Sequence, residues 1–171
     1  GYSVSINDDG TIVAIGSTLN DGTTNDGRDY NLGHVRVYQR DSSLNLGWRK
    51  LGDDINGEAT ADNSGNSVSL SADGYRVAIG AYGNDAGNVS TDNRGHVRVY
   101  QYDASKTTEV TNESSPDFGP IGWRRLGGDI DGEANGDYSG HSVTLSSDGT
   151  IVAIGARYND GDSTTDSGHV R

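Results

Sequence analysis

The strongest constraint on the fold of this chain is that one segment occurs three times in its 171 residues. The copies read GYSVSINDDGTIVAIGSTLNDG from Gly1, SGNSVSLSADGYRVAIGAYGNDAG from Ser64 and SGHSVTLSSDGTIVAIGARYNDG from Ser139. A GHVR element follows every copy, and a GWR element follows the first two. The chain therefore contains two complete repeats, residues 1–64 and 65–139, and the first part of a third, residues 140–171.

Each complete repeat predicts four short strands. In the middle copy, Ser67–Leu70 alternates polar and apolar residues, which predicts one buried face, and Arg76–Gly80 is almost continuously apolar, which predicts burial on both faces. The Asp-Gly pair between them predicts a tight turn. The third and fourth strands are His96–Tyr100 and the segment from Trp123 through Gly127 towards Ile130. We expect no helix, because no window has a period of 3.6 residues.

Four short antiparallel strands in each repeat are typical of a β-propeller blade. A single blade leaves a half-buried face and has to stack on a neighbour. Because two and a half blades cannot close a ring, we predict an all-β fold of propeller-type blades that forms an incomplete propeller or an open array. Further repeats of the same chain, or other protein chains, would then complete it.

The repeated pattern G-x-SVxLSxDGxxVAIGAxxND, followed by GHVRVY, resembles the FG-GAP repeat of integrin alpha-subunit β-propellers. Its LSxDGxxVAIGA portion also resembles WD-repeat blades, which form propellers as well. The FG-GAP resemblance implies an extracellular, adhesive protein that often holds calcium in a long Asp-rich loop between the first two strands. Here that loop is reduced to Asp9-Gly10, Asp73-Gly74 and Asp148-Gly149. Such a turn cannot supply the six or more oxygens that calcium requires, so the family's site does not transfer to it.

A different acidic cluster, D-I-[ND]-G-E-x-x-x-D, recurs and is the candidate calcium site. Alternating acids followed by a glycine and further oxygens could surround a hard cation. Its members are Asp54, Asn56, Glu58 and Asp62 in the first repeat, and Asp129, Asp131, Glu133 and Asp137 in the second. The alternative is a strand end that passes into an Asx-rich turn, in which the carboxylates cap backbone amides.

The loop between the second and third strands is also rich in acids and amides, but its length varies among the copies. Since metal-binding loops usually keep their spacing, we expect solvated loops here. The residues concerned are Asn20, Asp21, Asn25, Asp26 and Asp29 in the first copy, Asn84, Asp85 and Asp92 in the second, and Asn159, Asp160, Asp162 and Asp166 in the third.

The histidines and tryptophans also recur at repeated positions. His34, His96 and His169 begin the three GHVR strands, and this repetition indicates a structural role, because an active site is assembled once. Trp48 and Trp123 follow a glycine in the fourth strand, where packing on the outer strand is the first interpretation and a platform for a sugar ring is the alternative.

The function prediction combines charge, sequons and missing motifs. The formal net charge of -12 disfavours nucleic acid and anionic membranes as partners, and no segment is apolar enough to insert into a membrane. No nucleophile elbow, phosphate-binding loop or H-E-x-x-H motif is present, so we expect no enzyme. Sequons at Asn88 and Asn112 favour a secreted glycoprotein.

We therefore predict a non-enzymatic structural and adhesive protein, located outside the cell or at its surface, that assembles into a larger surface structure or filament. Its partners would be other protein chains or further repeats, with glycans as an additional class. The alternative function is a carbohydrate-binding, lectin-like propeller that uses Trp48 and Trp123.

Overall fold

We describe a computed structural model of the chain, covering residues 1–21, 31–45, 47–85, 92–160 and 166–171. These residues form thirteen strands in three antiparallel sheets and contain no helix, so the predicted all-β class is confirmed. Consequently, this part of the chain includes no helical segment of the length and apolarity needed to cross a membrane. Each sheet belongs to one repeat, and we call them the first, middle and third sheets in chain order.

The first sheet has the strand order β1-β2-β3-β4, in which every neighbouring pair is antiparallel. A short fifth strand pairs with the opposite end of the same edge of β3. The strands are β1 (Ser3–Ile6), β2 (Ile12–Ser17), β3 (His34–Arg40), β4 (Trp48–Lys50) and β5 (Ile55–Asn56).

The middle sheet repeats this arrangement. Its strands are β6 (Ser67–Leu70), β7 (Arg76–Ala81), β8 (His96–Tyr102), β9 (Trp123–Arg125) and β10 (Ile130–Asp131). The first three strands lie where the sequence predicted them. The fourth differs from the prediction because it is interrupted: β9 and β10 both pair with β8, and Gly127 between them has a φ of 74°. This left-handed conformation ends the regular pairing.

The third sheet contains the strands β11 (Ser139–Leu145), β12 (Val152–Ala156) and β13 (His169–Val170), in that order. A bulge shifts the pairing of β11 between Ser139 and Ser142. The Asp-Gly turns between the first two strands of every sheet are confirmed: Gly10, Gly74 and Gly149 have φ values of 72°, 76° and 66°.

The sheets are stacked, with the middle sheet between the other two. One apolar core joins the first and middle sheets, and a second joins the middle and third sheets. As predicted, β7 is buried on both faces, and every residue after Arg76 in it is buried. In the equivalent strand β2 buried and half-buried residues alternate, because within the described residues the first sheet packs against a neighbouring sheet on one side only. The number of neighbouring sheets therefore decides how deeply equivalent strands are buried.

Paired glycines bring the backbones of adjacent sheets into contact. A Cβ atom on Gly16 would lie 2.1 Å from the carbonyl oxygen of Gly65, and a Cβ atom on Gly80 would lie 2.0 Å from that of Gly140. No side chain fits at either position without moving the sheets apart. Both sheet–sheet contacts therefore place a glycine against the carbonyl of another glycine at equivalent positions.

Serine hydroxyls add hydrogen bonds across the same contacts. The hydroxyl of Ser3 donates to the Gly65 carbonyl at 2.7 Å, and the hydroxyl of Ser5 accepts from the Leu70 N–H at 3.0 Å. The equivalent bonds between the middle and third sheets join Ser67 to Gly140 (2.8 Å) and Leu145 to Ser69 (2.9 Å). The hydroxyls of β1 and of β6 thus donate and accept one hydrogen bond each at the same spacing.

Candidate functional site

Arg98 of β8 is a buried arginine at the centre of a charge cluster between the first and middle sheets. Its side chain is 6% exposed. Its Nε and Nη2 donate to the two carboxylate oxygens of Asp129 at 2.6 and 2.7 Å. Nη2 also donates to Glu58 and, at 3.3 Å, to Glu113. One buried cation therefore ties together its own sheet, the connection that follows β5 and the loop between β8 and β9.

The loop between β8 and β9, residues 103–122, closes over this cluster. The Arg125 guanidinium donates to Asp129 at 2.6 Å and to the carbonyl of Glu113 at 2.9 Å. The Phe118 ring centroid lies 4.5 Å from Cζ of Arg125 and 5.4 Å from Cζ of Arg98. Such cation–π contacts add to the ion pairs where the charges are desolvated. The loop is thus anchored on one side by Glu113 and Phe118.

An open groove of about 350 Å³ lies between this loop and the connection after β5. Glu58 lines one side, Val110 and Phe118 line the other, and Arg98 and Tyr100 of β8 complete it. The groove offers carboxylate acceptors and an aromatic ring, while its arginine is already paired with acids. It therefore suits a donor-rich neutral or cationic group better than an anion.

Burial and neighbouring charges shift the titration of the cluster. Burial, together with the positive charge of Arg98, lowers the pKa of His96 to about 4. Burial raises the pKa of Glu58 to about 7, and its hydrogen bond with Glu113 adds to this shift while Arg98 opposes it. For Asp129 burial acts upward, but the hydrogen bonds and charge of Arg98 hold its pKa below the usual value. The buried imidazole is therefore neutral at pH 7 and Asp129 is charged.

The first acids of the two predicted calcium sets are ion-paired. Asp54 accepts hydrogen bonds from Nε of Arg36 at 2.9 Å and from Nζ of Lys50 at 2.7 Å. The hydrogen bond from Arg36, aided by Lys50, lowers the pKa of Asp54 to about 2. Asp129 is held in the same way by Arg98. Basic side chains therefore occupy these carboxylates.

The last acids of the two sets, Asp62 and Asp137, are buried and cap backbone turns. The N–H groups that they accept from are those of Glu58 (3.1 Å) and Ala59 (3.0 Å) for Asp62, and of Glu133 (3.0 Å) and Ala134 (2.8 Å) for Asp137. Buried asparagine amides add a bond at 3.2 Å from Asn84 to Asp62 and at 3.0 Å from Asn159 to Asp137. This is the capping arrangement that was the alternative to calcium.

The remaining members of the sets are more exposed. Asn56 and Asp131 are exposed in β5 and β10, and Glu133 lies 3.5 Å from both His169 and Arg171. Within the described ranges, neither predicted set gathers three acid or histidine ligand atoms within 4.8 Å of one another. Calcium binding by these residues stays a prediction.

A cluster that does satisfy this distance combines Glu58, His96 and Asp129. Sequence reasoning missed it because its members come from both predicted sets and from a histidine assigned a structural role. Arg98 donates to both carboxylates, so a guanidinium already supplies the positive charge that a metal ion would bring. Calcium also requires six to eight oxygens, which these three side chains do not provide. The cluster does not fit that ion.

The two tryptophans have different environments despite their equivalent positions. Trp48 is 40% exposed, whereas Trp123 is fully buried and its indole N–H donates to the Leu51 carbonyl at 2.9 Å. Packing is therefore the role of Trp123. Of the proposed sugar platform, only Trp48 presents its ring to solvent.

The acidic loops between second and third strands differ in part from the expected solvated loops. Asn84, Asp92 and Asn159 are buried. One aspartate in each repeat closes its loop by accepting a backbone N–H across it: Asp21 from Asn31 (3.1 Å), Asp85 from Asn93 (2.9 Å) and Asp160 from Asp166 (3.0 Å). Asn25, Asp26, Asp29 and Asp162 lie outside the described residues. These contacts join the described ends of each loop.

Of the two sequons, that of Asn112 lies exposed in the loop over the Arg98 cluster, and that of Asn88 lies outside the described residues. His34 and His96 are buried, as a structural role requires, whereas His169 is exposed. Neither a protein-family model nor a curated protein matches the chain. The FG-GAP resemblance therefore depends on the repeated motif and the strand order.

Proposed function

We propose that the chain is a non-enzymatic structural and adhesive repeat protein of the extracellular space or cell surface. In this proposal the three sheets are consecutive blades of an FG-GAP-like, propeller-type array that further repeats or other chains extend. The observation that carries the proposal is that two successive sheet–sheet contacts are built from the same residues in the same way. A contact that is made twice is a building element, whereas a catalytic site is made once.

The acidic connections between the sheets support the same reading. Glu58, in the connection between the first and middle sheets, pairs with Arg98 of the middle sheet. Glu133 occupies the next connection and lies 3.5 Å from Arg171 at the end of the third sheet. Acids that the sequence offered as calcium ligands thus serve as repeated links from one sheet to the next. Calcium would be an addition to these links.

The extracellular assignment is supported by the surface of the molecule. A formal net charge of -12 repels nucleic acid and anionic lipid. Asn112 is exposed within its sequon, so a glycan at this position would project into solvent. Glycan attachment requires passage through the secretory route.

The test is the location of the native protein. Protease added to intact cells of the source organism should cleave it, and detergent should leave it in the insoluble surface fraction. Protection in intact cells, with cleavage only after lysis, would overturn the proposal. An Asn112→Gln variant that loses a glycan-dependent shift in mobility would show that the chain enters the secretory route.

The carbohydrate-binding alternative has less support, because Trp123 is buried in the core and only Trp48 is exposed. A glycan array separates the two functions. Specific binding that is lost in Trp48→Ala would favour the lectin, and an array without hits would remove it.

A further inference from the structure

We infer that this chain binds a second copy of itself head to tail, with the outer face of the first sheet packed on the outer face of the third sheet. The outer face of the first sheet carries Val4 and Ile6, and that of the third carries Ser142, Thr144 and Gly155. The inference deepens the proposed scaffold function, on which it rests, by naming the surfaces that join the copies.

The outer face of the first sheet has the composition of a buried interface. Val4 and Ile6 are 69% and 60% exposed. Val68 and Leu70 occupy the equivalent positions of the middle sheet and are 9% and 8% exposed, because the first sheet covers them. Exposed apolar side chains arranged as they are in an existing contact mark a surface for association. Within the described residues, the first sheet lacks the cover that the middle sheet has.

The outer face of the third sheet has the complementary features. Ser142 and Thr144 are exposed and stand where Ser67 and Ser69 bond the next sheet. An open depression of about 410 Å³ is lined by Ser142, Gly155 and Val170. Gly155 occupies the position at which Gly80 meets the Gly140 carbonyl, and the described atoms nearest to its Cβ direction belong to its own Ser142.

The spacing of these groups selects the partner. Every existing contact uses two hydroxyls on one strand, which bond a glycine carbonyl and the N–H of an apolar residue further along the partner strand. These pairs are Gly65 with Leu70 and Gly140 with Leu145; in the first sheet the corresponding pair is Gly1 with Ile6. In a second copy, Ser142 would donate to the Gly1 carbonyl and Thr144 would accept from the Ile6 N–H.

The contact joins two different faces, so it is heterologous and leaves one free face of each kind on a dimer. Such contacts continue into a ring or a filament. Pairing of exposed strand edges, the other route by which a β protein associates, would use backbone groups of the edge strands β1, β4, β11 or β13 and would not need Gly155, which lies in the inner strand β12. Substitution of Gly155 therefore separates the two routes.

Sedimentation velocity of the purified 171-residue chain over a range of concentrations tests the inference. The wild type should form dimers and larger species as concentration rises. Val4→Asp places a charge in the apolar contact, and Gly155→Ala places a methyl group where the partner's carbonyl would lie. Each should weaken association at least about 100-fold. Leu44→Asp, an equal change at an exposed position in the β3–β4 loop, should associate like the wild type.

Mixing the two face variants gives the decisive result. Val4→Asp keeps an intact third-sheet face and Gly155→Ala keeps an intact first-sheet face, so an equal mixture should form dimers and nothing larger. A mixture that stays monomeric, face variants that associate like the wild type, or a wild type that is monomeric throughout would each overturn the inference. Circular dichroism confirms that both variants are folded.

The outcome is independent of the location test. A chain that stays monomeric would contradict the head-to-tail contact but not a surface location. A chain that associates through these faces but lies inside the cell would support the contact and contradict the extracellular location.

Discussion

Replacing Gly80 by alanine tests the stacked arrangement of the sheets. The new Cβ atom would lie 2.0 Å from the carbonyl oxygen and 2.9 Å from the carbonyl carbon of Gly140, both of which are backbone atoms. Ordinary contact begins near 3.4 Å, so the middle and third sheets would have to separate by roughly 1.4 Å. Gly155 is the matched control, because its added Cβ would meet the side chain of Ser142, a hydroxyl that can rotate away.

The expected change in the free energy of unfolding has two destabilising contributions and one stabilising contribution. Overpacking of this kind costs about 1–3 kcal/mol. The hydrogen bond from Ser67 to Gly140 would be strained or lost, at about 1 kcal/mol. Alanine restricts the unfolded chain and returns about 0.5–1 kcal/mol. We therefore expect Gly80→Ala to lower the free energy of unfolding by about 1–3.5 kcal/mol, and Gly155→Ala to change it by less than about 1 kcal/mol.

Urea denaturation at a concentration low enough to keep the chain monomeric measures this difference. Fluorescence of the buried Trp123 provides the signal. An equal midpoint for Gly80→Ala and Gly155→Ala would refute the reasoning, because it would mean that no backbone lies opposite Gly80. A change in the slope of the free energy of unfolding against urea concentration in one variant would instead indicate an altered unfolded or native state.

Three further predictions concern the charge cluster. Arg98→Met removes the buried cation from Asp129, which is 22% exposed, and from Glu58, and should cost about 3 kcal/mol in chemical denaturation. Arg36→Met, at a position that is 44% exposed, should cost less than about 1 kcal/mol, and equal losses would contradict this. Because burial lowers the pKa of His96 from 6.5 to about 4, its contribution to stability is complete above pH 6.5 and falls by up to about 3 kcal/mol between those values as the unfolded state takes up the proton. The free energy of unfolding is measured against pH for the wild type and for His96→Gln, and the difference between the two curves gives the contribution of His96. Glu58, whose raised pKa changes stability in the opposite direction, contributes to both curves and cancels. Parallel curves would contradict the predicted contribution of His96. Calcium or a chelator should leave the thermal midpoint of unfolding unchanged, because Asp54 and the equivalent Asp129 already have protein partners. A midpoint that rises with calcium would show that the chain binds the ion.

Local patterns were sufficient to predict the first two strands of the middle repeat and the turn between them. The alternation in Ser67–Leu70 and the apolar run from Arg76 gave two strands at their observed positions, and the Asp-Gly pair gave the turn between them. These features depend on neighbouring residues in the chain, whereas burial depends on the packing of the sheets. The apolar segments of β2 and β7 are similar in sequence, yet only β7 is buried on both faces. The reason is that, in the described part of the chain, β7 has a sheet on either side and β2 has one on a single side.

The candidate site was harder to predict because its contacts cross between repeats. Glu58 and Arg98 are 40 residues apart in sequence, and their pairing requires that the connection after β5 lies against β8 of the next sheet. The acids were recognised as a recurring set, but the arginine that binds them was treated as part of a strand. Trp48 and Trp123 occur in the same motif, and only the three-dimensional packing distinguishes an exposed ring from a buried one.

The contact between two copies should be weaker than the stacking of sheets within one chain. Within the chain, Glu58 and Glu133 each accompany a sheet–sheet contact and lie beside Arg98 and Arg171. Arg36 is the equivalent residue of the first sheet, and its described acidic partner is Asp54 of the same sheet. Docking a second copy would therefore bury Arg36 with its charge already compensated by Asp54. The contact between copies keeps the glycine, hydroxyl and apolar features and lacks the covalent link. It should accordingly be weaker than stacking within the chain and should depend on concentration.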